Sequence, residues 1–358
     1  MRDLDNLDLI REIDKSDMMA LEMDLPSQCE EALEIAYSFE VPADYKNVDC
    51  IIILGMGGSG IGGELLRSLL IDRLPIPIII NRSYSIPKFL DQHSLVFVIS
   101  YSGNTEETLS AYNQVVARNA KIIGITSGGR LKGLCQKDEI PTIVVPEGMP
   151  PRATLGYLFL PMLVVLGRLG LIADPKDDIS EAIELLGVLS VKLGPEMDVS
   201  ENEAKQLALK LYDRIPIIYS SGQHMKGVVW RWKGQFNENS KVLAFCNTFP
   251  ELDHNEVVGW EGLPGITKSF SVVLLRDKSD GQRISRRMNI TKSLIARNAD
   301  GVNEVWSRGE GLLARTFSLV YMGDLTSIYL AILNGIDPTP VKAIDYLKAE
   351  LAKREVSP

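Results

Sequence analysis

The sequence predicts an α/β protein of two doubly wound domains, each a parallel sheet flanked by helices, and three observations carry that expectation. From Val48 onward, short Ile- and Val-rich runs alternate with helical stretches: CIIILG, GGELLRSLL, IPIIIN, LVFVIS, TEETLSAYNQVV, KIIGIT and PTIVVP. Runs that are apolar at nearly every position fit strands covered on both faces, as in parallel sheets. The alternation reopens at IPIIYSSG and continues through VLAFCN, FSVVLLRD and GVNEVWSRG. Finally, IPIIYSSGQHMKG repeats the strand, small polar loop and helix of CIIILGMGGSGIGG, so the second half is an architectural repeat of the first. A chain of 358 residues is long enough for two cores. The expected domains are 1–175, with N-terminal helices and the first sheet, and 176–358, with the second sheet and a C-terminal helix.

The remaining elements follow in order. Residues 5–40 read as two short helices broken at DLPSQ, with an amphipathic face in CEEALEIAY. RATLGYLFLPMLVVLGRLGLI reads as a long apolar helix with an interior proline, packed between layers. The chain turns polar at ADPKDDIS, becomes helical through ENEAKQLALKLYDR, and ends in the amphipathic helix AIDYLKAELAKRE.

Composition narrows the function classes. With 45% hydrophobic and 24% charged residues the chain is globular, and no apolar run reads as long enough to cross a bilayer. A net charge of −9 argues against broad contact with nucleic acid or anionic lipid, which needs a basic face to displace counterions. Small anions remain open. MRDLDNLDLIREIDK lacks the apolar core of a secretory signal, so a cytoplasmic location is expected. Cys29, Cys50, Cys135 and Cys246 are scattered, with no C-x-x-C pair and no histidine at zinc-finger spacing. Neither a disulfide nor a zinc site is expected, and Cys50 and Cys246 read as small buried hydrophobes.

The stretch GMGGSGIGG holds G-x-G-x-x-G spacing at Gly55, Gly57 and Gly60, between a strand and a helix. A dinucleotide site also needs an acid about twenty residues on to hold the ribose. The next strand instead ends at Asn81 and Arg82, which leaves NADP open through Arg82, while the missing Walker lysine argues against a P-loop. A second loop changes the balance. LVFVISYSGNTEET sets Ser100, Ser102 and Thr105 at another strand end, just before a helix. Hydroxyls and unpaired N–H groups at a helix start suit a compact dianion. Either loop alone could be no more than an N-cap. Together, Gly57, Gly58 and Ser59 from the first and Ser100, Ser102 and Thr105 from the second read as a phosphomonoester pocket.

GMGGSGIGG followed by SYSGNTEET resembles the signature of sugar isomerase (SIS) domains, and two such domains resemble the phosphoglucose isomerase superfamily. GQFNENSK and PELDHNEVVGW are similar to segments of the bifunctional phosphoglucose/phosphomannose isomerases, as is the leading IDKSDMMALEMDLPSQCEEA. The resemblance runs nearly end to end. It implies interconversion of glucose 6-phosphate, and of mannose 6-phosphate, with fructose 6-phosphate, without metal or cofactor. That chemistry needs a carboxylate base, an acid–base group near the ring oxygen and a cation beside the developing oxyanion.

By periodicity, Glu238 sits about 200° around from Phe236, off the packing stripe and near a helix end, where a solvated glutamate is the ordinary outcome. The resemblance makes it the base. His254, in ELDHNE, would be a surface residue by its setting; the resemblance makes it the ring-opening group, supplied by the neighbouring subunit of a dimer. His224, at the start of the second domain's first helix, is the fallback, and His93 lacks a motif. Lys348 reads as a charged-face residue of the last helix, with Lys342 and Lys353 nearby. The resemblance has it assist ring opening. Arg152 reads as a loop cation, and the resemblance has it stabilise the enediolate, which suits a group that stays charged. Thr339 is the nearest match to the threonine that governs mannose 6-phosphate use. Two rivals remain: a phosphosugar-binding regulator without chemistry, and an NADP oxidoreductase, which leaves SYSGNTEET unexplained.

Overall fold

The computed structural model describes residues 2–353; Met1 and 354–358, the outer ends of the two expected domains, lie outside the described residues. The first sheet is built from β1 (Cys50–Leu54), β2 (Ile78–Asn81), β3 (Ser94–Ile99), β4 (Lys121–Thr126) and β5 (Thr142–Val144), ordered β2-β1-β3-β4-β5. The second takes β6 (Ile215–Ser221), β7 (Phe245–Phe249), β8 (Phe270–Arg276) and β9 (Gly301–Trp306), ordered β7-β6-β8-β9. All pairings in both sheets are parallel. The continuous apolar runs have the expected cause: β1 and β3 are buried at every position.

β7 starts later than the run VLAFCN suggests. Val242 N donates to Phe236 O at 3.3 Å and Ala244 N to the Asn237 side chain at 3.1 Å, so these residues close the preceding helical turn before the strand begins. Cys50 is buried as expected, whereas Cys246, on edge strand β7, is half-buried, with its thiol pushed up to about 11 by burial.

Three helices open the chain: α1 (Leu7–Ile13), α2 (Met18–Met23) and α3 (Leu25–Ser38). The chain breaks at 14–17, where Asp14 accepts from Met18 N and Met19 N, and again at Asp24, the first residue of DLPSQ, which separates α2 from α3. Pro26 sits in the first turn of α3, where its missing N–H is tolerated, so DLPSQ starts a helix. The first sheet is covered by α4 (Gly57–Leu70), α5 (Glu106–Val116), α6 (Gly129–Lys137) and α7 (Leu155–Arg168). α7 is shorter than its apolar run, keeps Pro161 inside and is buried on nearly every face. The crossing segment brings α8 (Lys176–Leu193) and α9 (Glu203–Leu211), and the second sheet α10 (Lys226–Gln235), α11 (Glu256–Gly259), α12 (Pro264–Thr267) and α13 (Gln282–Ile295). The chain continues through α14 (Leu312–Asn334) to α15 (Lys342–Lys353).

Helix α14 corrects one expectation. Its 23 residues are long and apolar enough to cross a membrane, yet the apolar window is wholly buried inside the molecule. It packs against α2, α8, α9 and α10. A helix apolar all round is a core helix. The largest apolar cluster runs from the N-terminal helices through α7 and α8 to α14 and takes in the facing sides of both sheets. The outer faces have separate smaller cores, under α5 and α6 on one side and α13 on the other.

Candidate active site

In the first sheet the strand order reverses beside β1: the chain moves from β1 to β2 on one side and returns to β3 on the other. Ligands in such sheets bind outside the carboxyl ends of the strands at this point. Leu54 pairs with Val98, so the loops after β1 and β3 leave the sheet at nearly the same level. These are the two loops the sequence singled out. Tyr101 N donates to Ser59 Oγ at 3.1 Å and joins them directly. Ser100 Oγ and Thr105 Oγ1 lie 2.9 Å apart, and Asn104 N donates to Ser102 Oγ at 3.3 Å. Neither α4 nor α5 has a side-chain cap, so their opening N–H groups are not satisfied by Ser or Thr caps. Gly57 takes φ +49, a left-handed value that favours glycine. The structure therefore brings together Gly57, Gly58, Ser59, Ser100, Ser102 and Thr105, in a form suited to an anion.

Gly58 links this pocket to the next residues. A Cβ there would come within 2.7 Å of the Pro151 carbonyl carbon, so the loop packs directly on the turn that carries Arg152. Arg152 is buried, 4% exposed. Its Nε donates to Asn239 Oδ1 at 2.6 Å, its Nη2 to the Pro338 and Thr339 carbonyls at 2.8 Å each, and its Nη1 lies 3.6 Å from Glu238 Oε2. Burial pulls its pKa down, while Glu238 and Glu22 oppose that shift.

Glu238 does not sit on the α-helical register assumed from its sequence. α10 ends in a π turn, Phe236–Ser240, and such turns recur at functional sites because they re-aim side chains. Glu238 is partly exposed and lines a cavity of about 590 Å³ opposite Asp337, Pro340 and the first turn of α15. The phosphate loops line none of that cavity. They reach Glu238 by way of Gly58 and Arg152.

Buried charge fixes this arrangement from behind, and none of it was found in the sequence. Arg231 of α10 donates to both oxygens of Asp324 on α14, at 2.7 to 3.0 Å, and to the Arg152 carbonyl at 3.0 Å. Gln235 bridges Asp324 and Glu22, at 3.0 and 2.9 Å. Asn239 donates to Ser327 Oγ of α14 at 2.9 Å, so α14 orients the group that orients Arg152. Burial, and then the neighbouring Asp324, push the Glu22 carboxyl up to about 8 against Arg231 and Gln235. Burial also raises Asp324. One guanidinium serves two buried carboxyls, which favours keeping a proton on the pair.

The other expected residues are not brought to Glu238 within this chain. His254 is exposed on the turn Glu251–His254, makes no side-chain hydrogen bond among the described residues and does not line the cavity. Lys348 is exposed on α15, beyond the turn that lines the cavity. His224 pairs with Asp72 at 3.0 Å on the surface, His93 lies at a surface turn, and Arg82 is engaged by Glu64 at 3.4 Å and by the Trp230 ring. Thr339 has a buried hydroxyl without a hydrogen-bond partner among the described residues. In the second sheet, the matching point after β8 is filled by the protein's own charges, with Asp277 held by Arg315 at 2.9 Å and by Ser307 at 2.6 Å.

Comparison with known proteins agrees with this geometry. Residues 45–135 match the SIS domain family, and residues 200–351 match the family described as bacterial phospho-glucose isomerase C-terminal SIS domain. The chain is 47% identical to the bifunctional phosphoglucose/phosphomannose isomerase of Caldicellulosiruptor bescii, across 92% of this chain and 97% of that protein. It is 38% identical to the protein of the same name from Aquifex aeolicus, across 88% and 94%. A glucose-6-phosphate isomerase like protein from Thermus thermophilus shares the fold, with a TM-score of 0.65 at 21% identity over 98% of this chain and 99% of that one. With SIS-type sheets, a loop pair that meets at Ser59 and relatives matched nearly end to end, the chain belongs to the bifunctional phosphoglucose/phosphomannose isomerase family.

Proposed function

We propose that this protein is an aldose–ketose isomerase that interconverts glucose 6-phosphate, and mannose 6-phosphate, with fructose 6-phosphate. The substrate phosphate sits on Gly57, Gly58, Ser59, Ser100, Ser102 and Thr105. Glu238 takes the C2 proton of the open-chain aldose and returns it to C1, and Arg152 stabilises the enediolate between those steps. The observation that carries this reading is the buried Arg152 guanidinium, 3.6 Å from the Glu238 carboxylate and carried by the turn on which Gly58 packs. A regulator that only bound the sugar phosphate would have no need of that pair.

Ring opening is assigned to His254 and Lys348, with His254 reaching the site from a second subunit. Two features support a dimer. His254 is exposed without a partner among the described residues, and apolar side chains stand exposed at the Glu238 cavity and along α15: Leu243, Ile344, Tyr346 and Leu347. The Thr339 hydroxyl, unpartnered among the described residues, on a residue whose carbonyl accepts from Arg152, supports its assignment to mannose 6-phosphate use. The domains are taken as 1–175 and 176–358, and the site of action as the cytoplasm, where phosphorylated hexoses are made and used.

The test supplies fructose 6-phosphate to the native chain in the presence of EDTA and follows glucose 6-phosphate and mannose 6-phosphate separately. Both products are expected. Binding of the sugar phosphate with neither product would leave a regulator, and glucose 6-phosphate alone would remove the dual specificity.

A further inference from the structure

Lys241, the last residue of GQFNENSK, is the second cation of the site, and none of the roles above uses it. It follows the π turn and holds a left-handed backbone, φ +55, a conformation that side chains disfavour and that persists where surroundings fix it. Its N–H donates to Phe236 O and closes the Glu238 turn. Lys241 is an exposed residue, and its ammonium meets carbonyl oxygens from two segments. Glu238 O and Asn239 O, the latter at 3.5 Å, belong to the turn that carries the base. Pro338 O, at 2.8 Å, belongs to the segment between α14 and α15. That same Pro338 oxygen accepts from Arg152 Nη2. Among the described residues no carboxylate lies within ion-pair distance of the ammonium, so carbonyl dipoles hold it.

We propose that Lys241 is a positioning residue: in its ammonium form it ties the Glu238 turn to Pro338, and so keeps the base, Arg152 and the start of α15 in one geometry. The inference rests on Glu238 being the base. An ammonium offers three donors to three carbonyls, whereas a neutral amine would turn a lone pair on one of them. The charged groups around it are Arg152 on its turn, Glu238 on the π turn, Asp337 in the α14–α15 segment and Lys342 on α15. Burial, and then Arg152, pull the Lys241 pKa down to about 8, against Asp337 and Glu238. The tie is therefore charged at neutral pH and lost in moderately alkaline solution.

Lys241→Arg and Lys241→Met test this by kcat and KM for fructose 6-phosphate between about pH 6 and 10, with Glu238→Gln and circular dichroism as controls. For the native chain, kcat is expected to fall along an alkaline limb near pH 8. In Lys241→Arg, which stays charged, that limb should move upward while neutral-pH activity stays within about tenfold of the native chain. Lys241→Met, if folded, should lose at least about tenfold in kcat with KM little changed. A folded Lys241→Met with native kcat, or an alkaline limb identical in the native chain and Lys241→Arg, overturns the proposal. Should Lys241→Met fail to fold, the Lys241→Arg profile decides alone. An active Glu238→Gln chain would instead remove the base assignment beneath the inference, an outcome separable from any result at Lys241.

Discussion

Arg152 Nη1 lies 3.6 Å from Glu238 Oε2, while the other nitrogens that the guanidinium uses are bound to Asn239 and to the Pro338 and Thr339 carbonyls. One end of the fork is fixed by protein and the other faces the base. Charge developing on a substrate oxygen there would meet a cation that needs no reorganisation.

Arg152→Lys keeps a charge but cannot serve Asn239, two carbonyls and the base region together. We expect it to lower kcat by about 10²–10³, the scale for losing one fixed oxyanion donor. Sugar phosphate binding should change much less, because the phosphate loops are untouched. Steady-state kinetics beside a direct binding titration separates the two, and a drop confined to KM would place Arg152 in binding alone.

If His254 acts across a dimer, two inactive variants should repair each other. A subunit with Glu238→Gln still offers His254, and a subunit with His254→Ala still offers Glu238. Unfolding and refolding an equal mixture should restore roughly a quarter of native activity, since half of the pairs are mixed and each holds one intact site. No recovery, with mixed pairs demonstrated by differential tags, would place His254 in the same chain as its base or outside the chemistry.

The Glu22 carboxyl supplies a pH prediction for stability. Its folded pKa is pushed up to about 8 by burial and Asp324, whereas its ordinary value is 4.5. Between those values the folded chain holds a proton that the unfolded chain has released, so this contribution is full at low pH and is lost as pH rises toward about 8. Glu22→Gln keeps an acceptor for Gln235 without the titration. Denaturant unfolding across that range should give a flatter dependence for the variant, with the variant more stable than the native chain at the alkaline end. Parallel curves would mean that Glu22 ionises normally.

The strands were legible because β1 and β3 are buried at every position and therefore apolar at every position. The phosphate loops were legible because glycines and hydroxyls at strand ends can be read locally. Glu238 was found by motif, but its direction was not, since the π turn departs from the 3.6-residue period used to place it. α14 gave no amphipathic signal, being buried all round, and so Asp324 and Ser327, which fix Arg231 and Asn239, stayed hidden. Lys241 stands at the end of GQFNENSK, but its contacts were hidden for another reason. Its partner Pro338 is 97 residues away and presents a backbone carbonyl, which leaves no mark in side-chain pattern.

The central claim is that Glu238 moves the proton, and Glu238→Gln tests it most directly. Fructose 6-phosphate turnover by this variant should fall by about 10²–10⁴, the contribution expected of a positioned general base, while the sugar phosphate still protects the folded chain in a thermal shift titration. Turnover near the native rate, with binding intact, would contradict the account and leave Glu238 as no more than the ion-pair partner of Arg152.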